Sequence, residues 1–439
     1  MSSNTLTVQS RGIFHGLPTY PSDVKGLVAL VTGANGISGY HLVRALSSAP
    51  GRWSKVYALS RRPPPQNFFT DLGDGAARVE HVSVDFLGDP SKVAEALSKI
   101  SHVDHAFFFS YTQPAQKGGV LGMWSEAEEL AKINSHLMDT FLEGLKQSGL
   151  KPKRILLQTG AKHYGFHMGP ATSPSFESDP RITLEANFYY PQEDSLFKYC
   201  KDNECQWNVV RPSYIIGAVR DGLLNHMLGI SVYAAVRQHM KQKLEYPGDG
   251  AGWDREHCQS TGLLNGYFEE WCVLTGSAGN EAFNIQDGLP WTWGRFWAYL
   301  AGWYGLEWTP PNPDESKYRV QESRHKTPPR GYGHAGTTHS TFSLQEWASE
   351  PGVAEAWAEL TKRHELVLNP FESEAKIAQV FGISDSAIVG GWPLSLSTRK
   401  ARKLGWLGTV DSYEAAFNTI HDLAKLKLTV APSKPSFEE

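Results

Sequence analysis

The stretch GLVALVTGANGISG, residues 26–39, decides the fold. An apolar run at 27–31 leads straight into glycines at 33, 36 and 39. A strand that ends in such a turn and continues as a helix has a specific use. The first glycine tightens the turn, the second keeps a side chain out of the phosphate path, and the third lets helix and strand touch. A pyrophosphate then rests on the helix N-terminus. The spacing G-x-x-G-x-x-G differs from the G-x-G-x-x-G of many dehydrogenases. Its place between strand and helix, ahead of a regular alternation, makes dinucleotide binding the expectation rather than an empty tight turn.

Working outward, "YHLVRALSSA" reads as the helix and "KVYALS" as the next strand. "RVEHVSVDF", "HVDHAFFFS", "RILLQTG" and "CQWNVVRPS" read as further strands, with helices at "PSKVAEALSKI" and "SEAEELAKINSHLMDTFLEGLKQSG". Short apolar runs instead of alternating ones imply strands covered on both faces, hence a parallel sheet. The expected fold is α/β, a Rossmann-type doubly wound sheet. Residues 1–26 read as a polar arm and 27–215 as the dinucleotide-binding core with the catalytic residues. Residues 216–439 read as a smaller, mostly helical substrate-binding lobe, with segments around 250–290 returning to the core. In that second half "TGLLNGYFEEWCVLTG", "WTWGRFWAYLAGWYG", "SLQEWASEPGVAEAWAEL" and "SYEAAFNTIHDLAKLK" read as helices, "EAFNIQ" as a strand and 310–336 as a loop or flap.

Composition narrows the partners. Among 439 residues, 42 Lys plus Arg against 46 Asp plus Glu and the lack of a long basic run argue against nucleic acid or an anionic membrane. Cys200, Cys205, Cys258 and Cys272 have no close-paired metal spacing and read as free thiols in a reducing compartment. Neither a signal-peptide core near the N-terminus nor an 18-residue apolar run is present, so a cytoplasmic location without a membrane span is expected. The 14 tryptophans and 20 phenylalanines exceed what a core needs, which leaves aromatic surface for a small apolar substrate. Trp291, Trp293, Trp297 and Trp303 read first as core. A homodimer is compatible with all of this.

The carboxyl ends of the strands supply the expected cofactor residues. The first turn gives Thr32, Gly33, Asn35, Gly36, Ile37 and Gly39. The second strand ends in Ser60, Arg61 and Arg62, where a free ribose 2′-hydroxyl would call for an acid. Two guanidinium groups suit a 2′-phosphate, so NADPH/NADP+ is expected over NADH. Asp85, with Phe86, follows the third strand, placed to accept the adenine amino group. Ser110 and Tyr111 follow the fourth strand, Thr159 the fifth, and Pro212, Ser213 and Ile215 the sixth.

Short-chain dehydrogenases commonly pair a tyrosine with a lysine four residues on along one helix. No tyrosine here has one: Tyr189 is followed by Glu193 and Tyr190 by Asp194. The segments "QTGAKHYGFHMGP", "NFYYPQEDSLF", "WNVVRPSYIIG", "LSRRP", "NEAFNIQDGLPWTWGRFWAYLAGWYGLE" and "STRKARKLGWLG" together resemble the plant progesterone 5β-reductase and iridoid synthase family over roughly residues 28–428. The resemblance implies an NADPH-dependent reductase of enones or enals at the carbon–carbon double bond. It assigns Lys162, from the Lys-His-Tyr motif, and Tyr189, after Asn-Phe, as the catalytic pair, both also facing the cofactor. The lysine then comes from a different loop. Tyr164 reads as pocket wall or substrate ligand, and Tyr190 as packing or substrate contact. A carbonyl reductase, a cofactor-retaining cyclase or isomerase, and a non-enzymatic dinucleotide sensor are the alternatives. The segment 313–341 is longer and more basic than the family resemblance leads one to expect, and the connection from Lys162 to Tyr189 is shorter. The chain therefore reads as a fungal or other microbial relative with its own substrate.

Overall fold

A computed structural model describes residues 7–113, 126–222 and 224–434. The opening stretch forms strand β1 (Leu27–Thr32) and helix α1 (Ile37–Ser47). After them come β2 (Trp53–Ser60), β3 (Val79–Ser83), helix α2 (Pro90–Leu97), β4 (His105–Phe108), α3 (Ala127–Ser148) and β5 (Arg154–Gln158). Helix α4 (Tyr189–Asp202) follows, built from the tyrosine segment, and then the expected strand β6 (Gln206–Pro212). The start of the helix read at "SEAEELAKIN" lies partly outside the described residues.

Further on are helix α5 (His226–His239), helix α6 (Gly262–Leu274) and strand β7 (Glu281–Ile285). Helices α7 (Trp293–Tyr304), α8 (Val353–His364), α9 (Glu374–Ile388) and α10 (Ser412–Lys425) follow. Strands β1 to β7 form one seven-stranded sheet in the order β7-β6-β5-β4-β1-β2-β3, with every neighbouring pair parallel. The order reverses between β1 and β4, the switch point where such sheets open a crevice at their carboxyl ends.

Both faces of the sheet are covered. α2, α3 and α4 contribute Val93, Leu97, Met138, Phe141 and Leu196 to one core, against Leu30 and Leu157. α1 and α6 contribute Leu42, Leu46, Leu264 and Phe268 to the other, against Val31 and Leu156. Burial on both sides is why these strands read as continuous apolar runs. A third core holds the lobe, with α5 between Trp297 of α7, Trp357 of α8 and Phe381 of α9. All four tryptophans of the 291–303 stripe are in this core. Their aromatic surface is spent on packing.

Some segments depart from the sequence reading. The stretch read as an arm is a hairpin, Val8–Arg11 with Phe14–Pro18, joined by Thr409–Val410. Its strands are too short and too polar to announce themselves. The loop read at 310–336 carries strand Arg319–Glu322, paired antiparallel with Thr337–Ser340. Beyond it Pro329 packs against Gly165, where a Cβ would stand 2.8 Å from the proline ring. Helices α5 and α9 were not anticipated. α5 is buried nearly all round, so no polar face gave it a period.

Candidate active site

The glycine turn is built as its spacing demands. Gly33 has φ +62, and a Cβ there would stand 2.8 Å from the Phe109 carbonyl. A Cβ on Gly39 would collide with the Gly33 carbonyl oxygen. Gly36 precedes α1 without a side-chain cap, so the first amides of that helix are served by no side chain of their own turn. Backbone amides, a helix N-terminus and no Cβ in the way fit a dinucleotide pyrophosphate.

The turn opens into a cleft of about 630 Å³ along the carboxyl edge of the sheet, within the range of small-molecule sites. Gly33, Asn35, Gly36, Ile37, Gly39, Ser60, Arg61, Arg62, Asp85, Phe86, Ser110, Tyr111, Thr159, Lys162, Tyr189, Pro212, Ser213 and Ile215 all line it. Thr32 does not. Its hydroxyl is turned to β4, accepting from the amides of Phe109 at 3.1 Å and Ser110 at 3.3 Å. Thr32 therefore fixes the two strands that flank the switch point and leaves ligand contact to its neighbours.

At the Ser60–Arg62 end of the cleft, side-chain donors hold the main chain. Asn35 Nδ2 and Ser60 Oγ donate to the Arg62 carbonyl at 3.0 and 2.8 Å, and Ser83 Oγ donates to the Arg61 carbonyl at 3.2 Å. These bonds anchor the main chain and leave both guanidinium groups exposed at the cleft mouth, Arg62 4.0 Å from Asp221. The Asp85 carboxylate accepts from the Leu87 amide at 3.0 Å and is exposed to the cleft.

Lys162 lies in a tight turn, Ala161–Tyr164, directly after β5, and Tyr189 begins α4. Asn187 joins the two. Its Nδ2 donates to the Lys162 carbonyl at 3.2 Å, and its Oδ1 accepts from the Tyr189 amide at 3.1 Å. The Tyr189 hydroxyl rests against Gly160, where a Cβ would stand only 3.1 Å from it. Burial raises the Tyr189 pKa far above the ordinary phenol value, and the Tyr111 and Tyr190 phenols add to the rise. The phenol is thus held in its neutral form. Burial, followed by the Arg324 charge, pushes the Lys162 pKa well below the usual lysine range.

The structure does not bring Tyr164 and Tyr190 into this cleft. Tyr164 Oη donates to Asn284 Oδ1 at 2.6 Å and accepts from Arg211 at 3.3 Å. Tyr190 Oη donates to the His163 carbonyl at 2.8 Å and accepts from the Ile182 amide at 2.8 Å. Both hydroxyls are consumed in holding the Lys162 turn, so the substrate-contact reading of these two tyrosines is not what the geometry provides. Their adjacency in sequence to Lys162 and Tyr189 was the signal behind that reading.

Behind the turn is a buried charge cluster that sequence reasoning passed over. Glu193 is 2% exposed, one helical turn beyond Tyr189, where a Tyr-x-x-x-Lys helix would carry its lysine. Its Oε1 accepts from Arg211 at 3.1 Å, its Oε2 from Arg181 at 3.0 Å, and His163 Nδ1 stands 3.5 Å away. Burial alone would raise its pKa, but His163 and the two guanidinium groups outweigh it and hold the carboxyl at about 2. Arg211 ties the cluster to the connection by donating also to the Glu177 carbonyl at 3.2 Å. The signal was the acid at the fourth position after Tyr189.

Fold and cleft define a Rossmann-fold enzyme of the short-chain dehydrogenase type. Residues 29–322 match the family model described as PRISE-like Rossmann-fold domain, and the chain belongs to that family. The expected kinship holds. The 3-oxo-Delta(4,5)-steroid 5-beta-reductase of Arabidopsis thaliana is 27% identical over 93% of this chain and 94% of its own length. The (S)-8-oxocitronellyl enol synthase ISY1 of Nepeta cataria is 32% identical over 64% of this chain and 70% of its own. A fungal relative, short chain dehydrogenase gsfE of Penicillium aethiopicum, is 28% identical over 91% and 98% respectively. Among solved structures, DesIV, the dTDP-glucose 4,6-dehydratase of Streptomyces venezuelae, superposes with a TM-score of 0.54 at 16% identity, covering 91% of this chain and 97% of that one. This last likeness speaks for the fold alone. No helix among the described residues is long and apolar enough to cross a membrane.

Proposed function

We propose that the protein reduces the activated carbon–carbon double bond of a small, largely apolar enone or enal, using NADPH. The observation that carries this reading is the pairing of Tyr189 with a lysine delivered by the β5 turn, both lining one cleft with the glycine turn. The names of the steroid reductase and the enol synthase among its relatives support the same chemistry.

Gly33, Gly36 and the N-terminus of α1 would hold the pyrophosphate, and Arg61 and Arg62 the 2′-phosphate. When bound, the dinucleotide supplies the hydride. Tyr189 then acts on the substrate oxygen. As charge develops on the carbonyl oxygen of a β-reduced enone, the fixed neutral phenol would donate a hydrogen bond to the enolate, whose α-carbon would then take its proton from solvent to give the saturated carbonyl. Lys162 would steady the phenol, and the ribose of a bound dinucleotide, by its charge. That role needs the ammonium form, which an anionic ligand in the same cleft favours. Gly160 and Asn187 keep phenol and lysine in register.

The test is NADPH oxidation against a panel of enones, enals and saturated ketones, with the products identified. The reading expects saturated carbonyl products from the first two classes. Allylic alcohols from the same substrates would make the protein a carbonyl reductase, and a rearranged product formed without NADPH oxidation would make it a cyclase or isomerase.

A further inference from the structure

The lobe side of the cleft carries a polar atom that is unpaired among the described residues. His226 opens α5, is 2% exposed, and its Nε2 has no hydrogen-bond partner among the described residues. It lines the cleft with Phe166, Tyr214, Leu224 and Ile383. Burial lowers its pKa to about 4, so the imidazole is neutral. The residue is firmly seated. Ser384 Oγ donates to its carbonyl at 2.8 Å, and the Tyr214 ring meets its ring at 5.5 Å. Asn225, just before the helix, donates to the Gly217 carbonyl at 2.9 Å and does not cap the helix with its side chain. The helix N-terminus and the unpaired imidazole thus belong to the same patch of wall, whose remaining side chains are largely apolar.

A buried polar atom left unpaired is a cost that a ligand can remove, and a site built around one discriminates against ligands that lack the matching group. The Nε2 of a neutral imidazole donates to a hydroxyl in one tautomer and accepts from it in the other. We propose that His226 is a substrate-specificity residue that hydrogen-bonds a hydroxyl on the substrate, so that the preferred substrate is an enone or enal bearing a hydroxyl remote from the reacting double bond. This rests on the reading of the cleft as an enone site.

The experiment compares (E)-3-nonen-2-one with its 6-, 7-, 8- and 9-hydroxy derivatives. Binding to the NADP+-saturated full-length protein is measured by calorimetry, and NADPH oxidation is followed separately. At least one hydroxylated compound should bind about tenfold more tightly than the parent, roughly one well-placed hydrogen bond. His226→Phe should erase that preference and leave the parent bound as well or better. His226→Gln should keep part of it. If His226→Phe does not fold, His226→Leu makes the same comparison. Equal affinities across the series in the wild type, or an equal loss for parent and hydroxylated compounds in the apolar variant, would overturn the proposal. A hydroxyl preference in binding without NADPH oxidation would leave His226 its role and reject the reductase reading instead.

Discussion

Removing one hydroxyl at position 189 leaves the ring against Phe188, whose centroid is 4.7 Å away. Tyr189→Phe should lower turnover on an enone about 10²–10³-fold, the usual cost of one oxyanion donor, with little change in thermal stability. The neighbouring substitution should behave in the opposite way. The Tyr190 hydroxyl serves the His163 carbonyl and the Ile182 amide, so Tyr190→Phe leaves a buried donor and acceptor unpaired at a cost of ~1–3 kcal/mol. Its signature is a lower unfolding midpoint with turnover reduced far less. Steady-state rates and denaturant midpoints for the two variants check both statements. A Tyr190→Phe enzyme that is stable and inactive would mean that the phenols have been assigned in the wrong order.

The Lys162 turn and helix α4 are separate elements, and the charge cluster behind them makes them one unit. Glu193 reaches Arg211 on β6, Arg181 on the connection and His163 in the turn. Glu193→Gln breaks a buried pair and should cost about 3–5 kcal/mol, and loosening the turn should lower turnover as well. The pH dependence has a definite sign. The carboxyl sits at about 2 in the folded protein against an ordinary 4.5. A depressed carboxyl contributes stability that is complete above its unfolded value and disappears as pH falls through the folded one. The stability gap between wild type and Glu193→Gln, read from urea unfolding, should therefore narrow from about pH 5 down to about pH 2.5. A gap independent of pH would show that Glu193 acts by shape and not by charge.

Across the whole molecule, what was legible in sequence was what periodicity and turn chemistry encode. The sheet strands and the helices between them are apolar runs punctuated by glycine and proline, and all of β1 to β7 were read from them. The glycine turn and the strand-end residues were legible because a parallel sheet gathers its carboxyl ends at one edge. Tyr190 packs, as one of its two readings had it, while Thr32 and Tyr164 turn their hydroxyls away from the cleft, because proximity in sequence does not say which way a hydroxyl faces. Glu193, Asn187 and His226 act through neighbours distant in the chain, and no local pattern marks them. Cofactor choice is a property of this assembled edge. Arg61→Ala combined with Arg62→Ala should cost NADPH binding at least about tenfold, one charge-assisted contact being worth ~1.5–3 kcal/mol, with NADH binding nearly unchanged. Titration of both dinucleotides checks it, and equal losses would assign the arginines to the fold.

Isotope transfer reads directly where the hydride goes. The protein is incubated with a simple enone and NADPH deuterated at the transferred position of nicotinamide carbon 4, and the product is examined by NMR. Alkene reduction puts deuterium on the β-carbon of a saturated ketone, at full incorporation. Deuterium on the former carbonyl carbon of an allylic alcohol would contradict it.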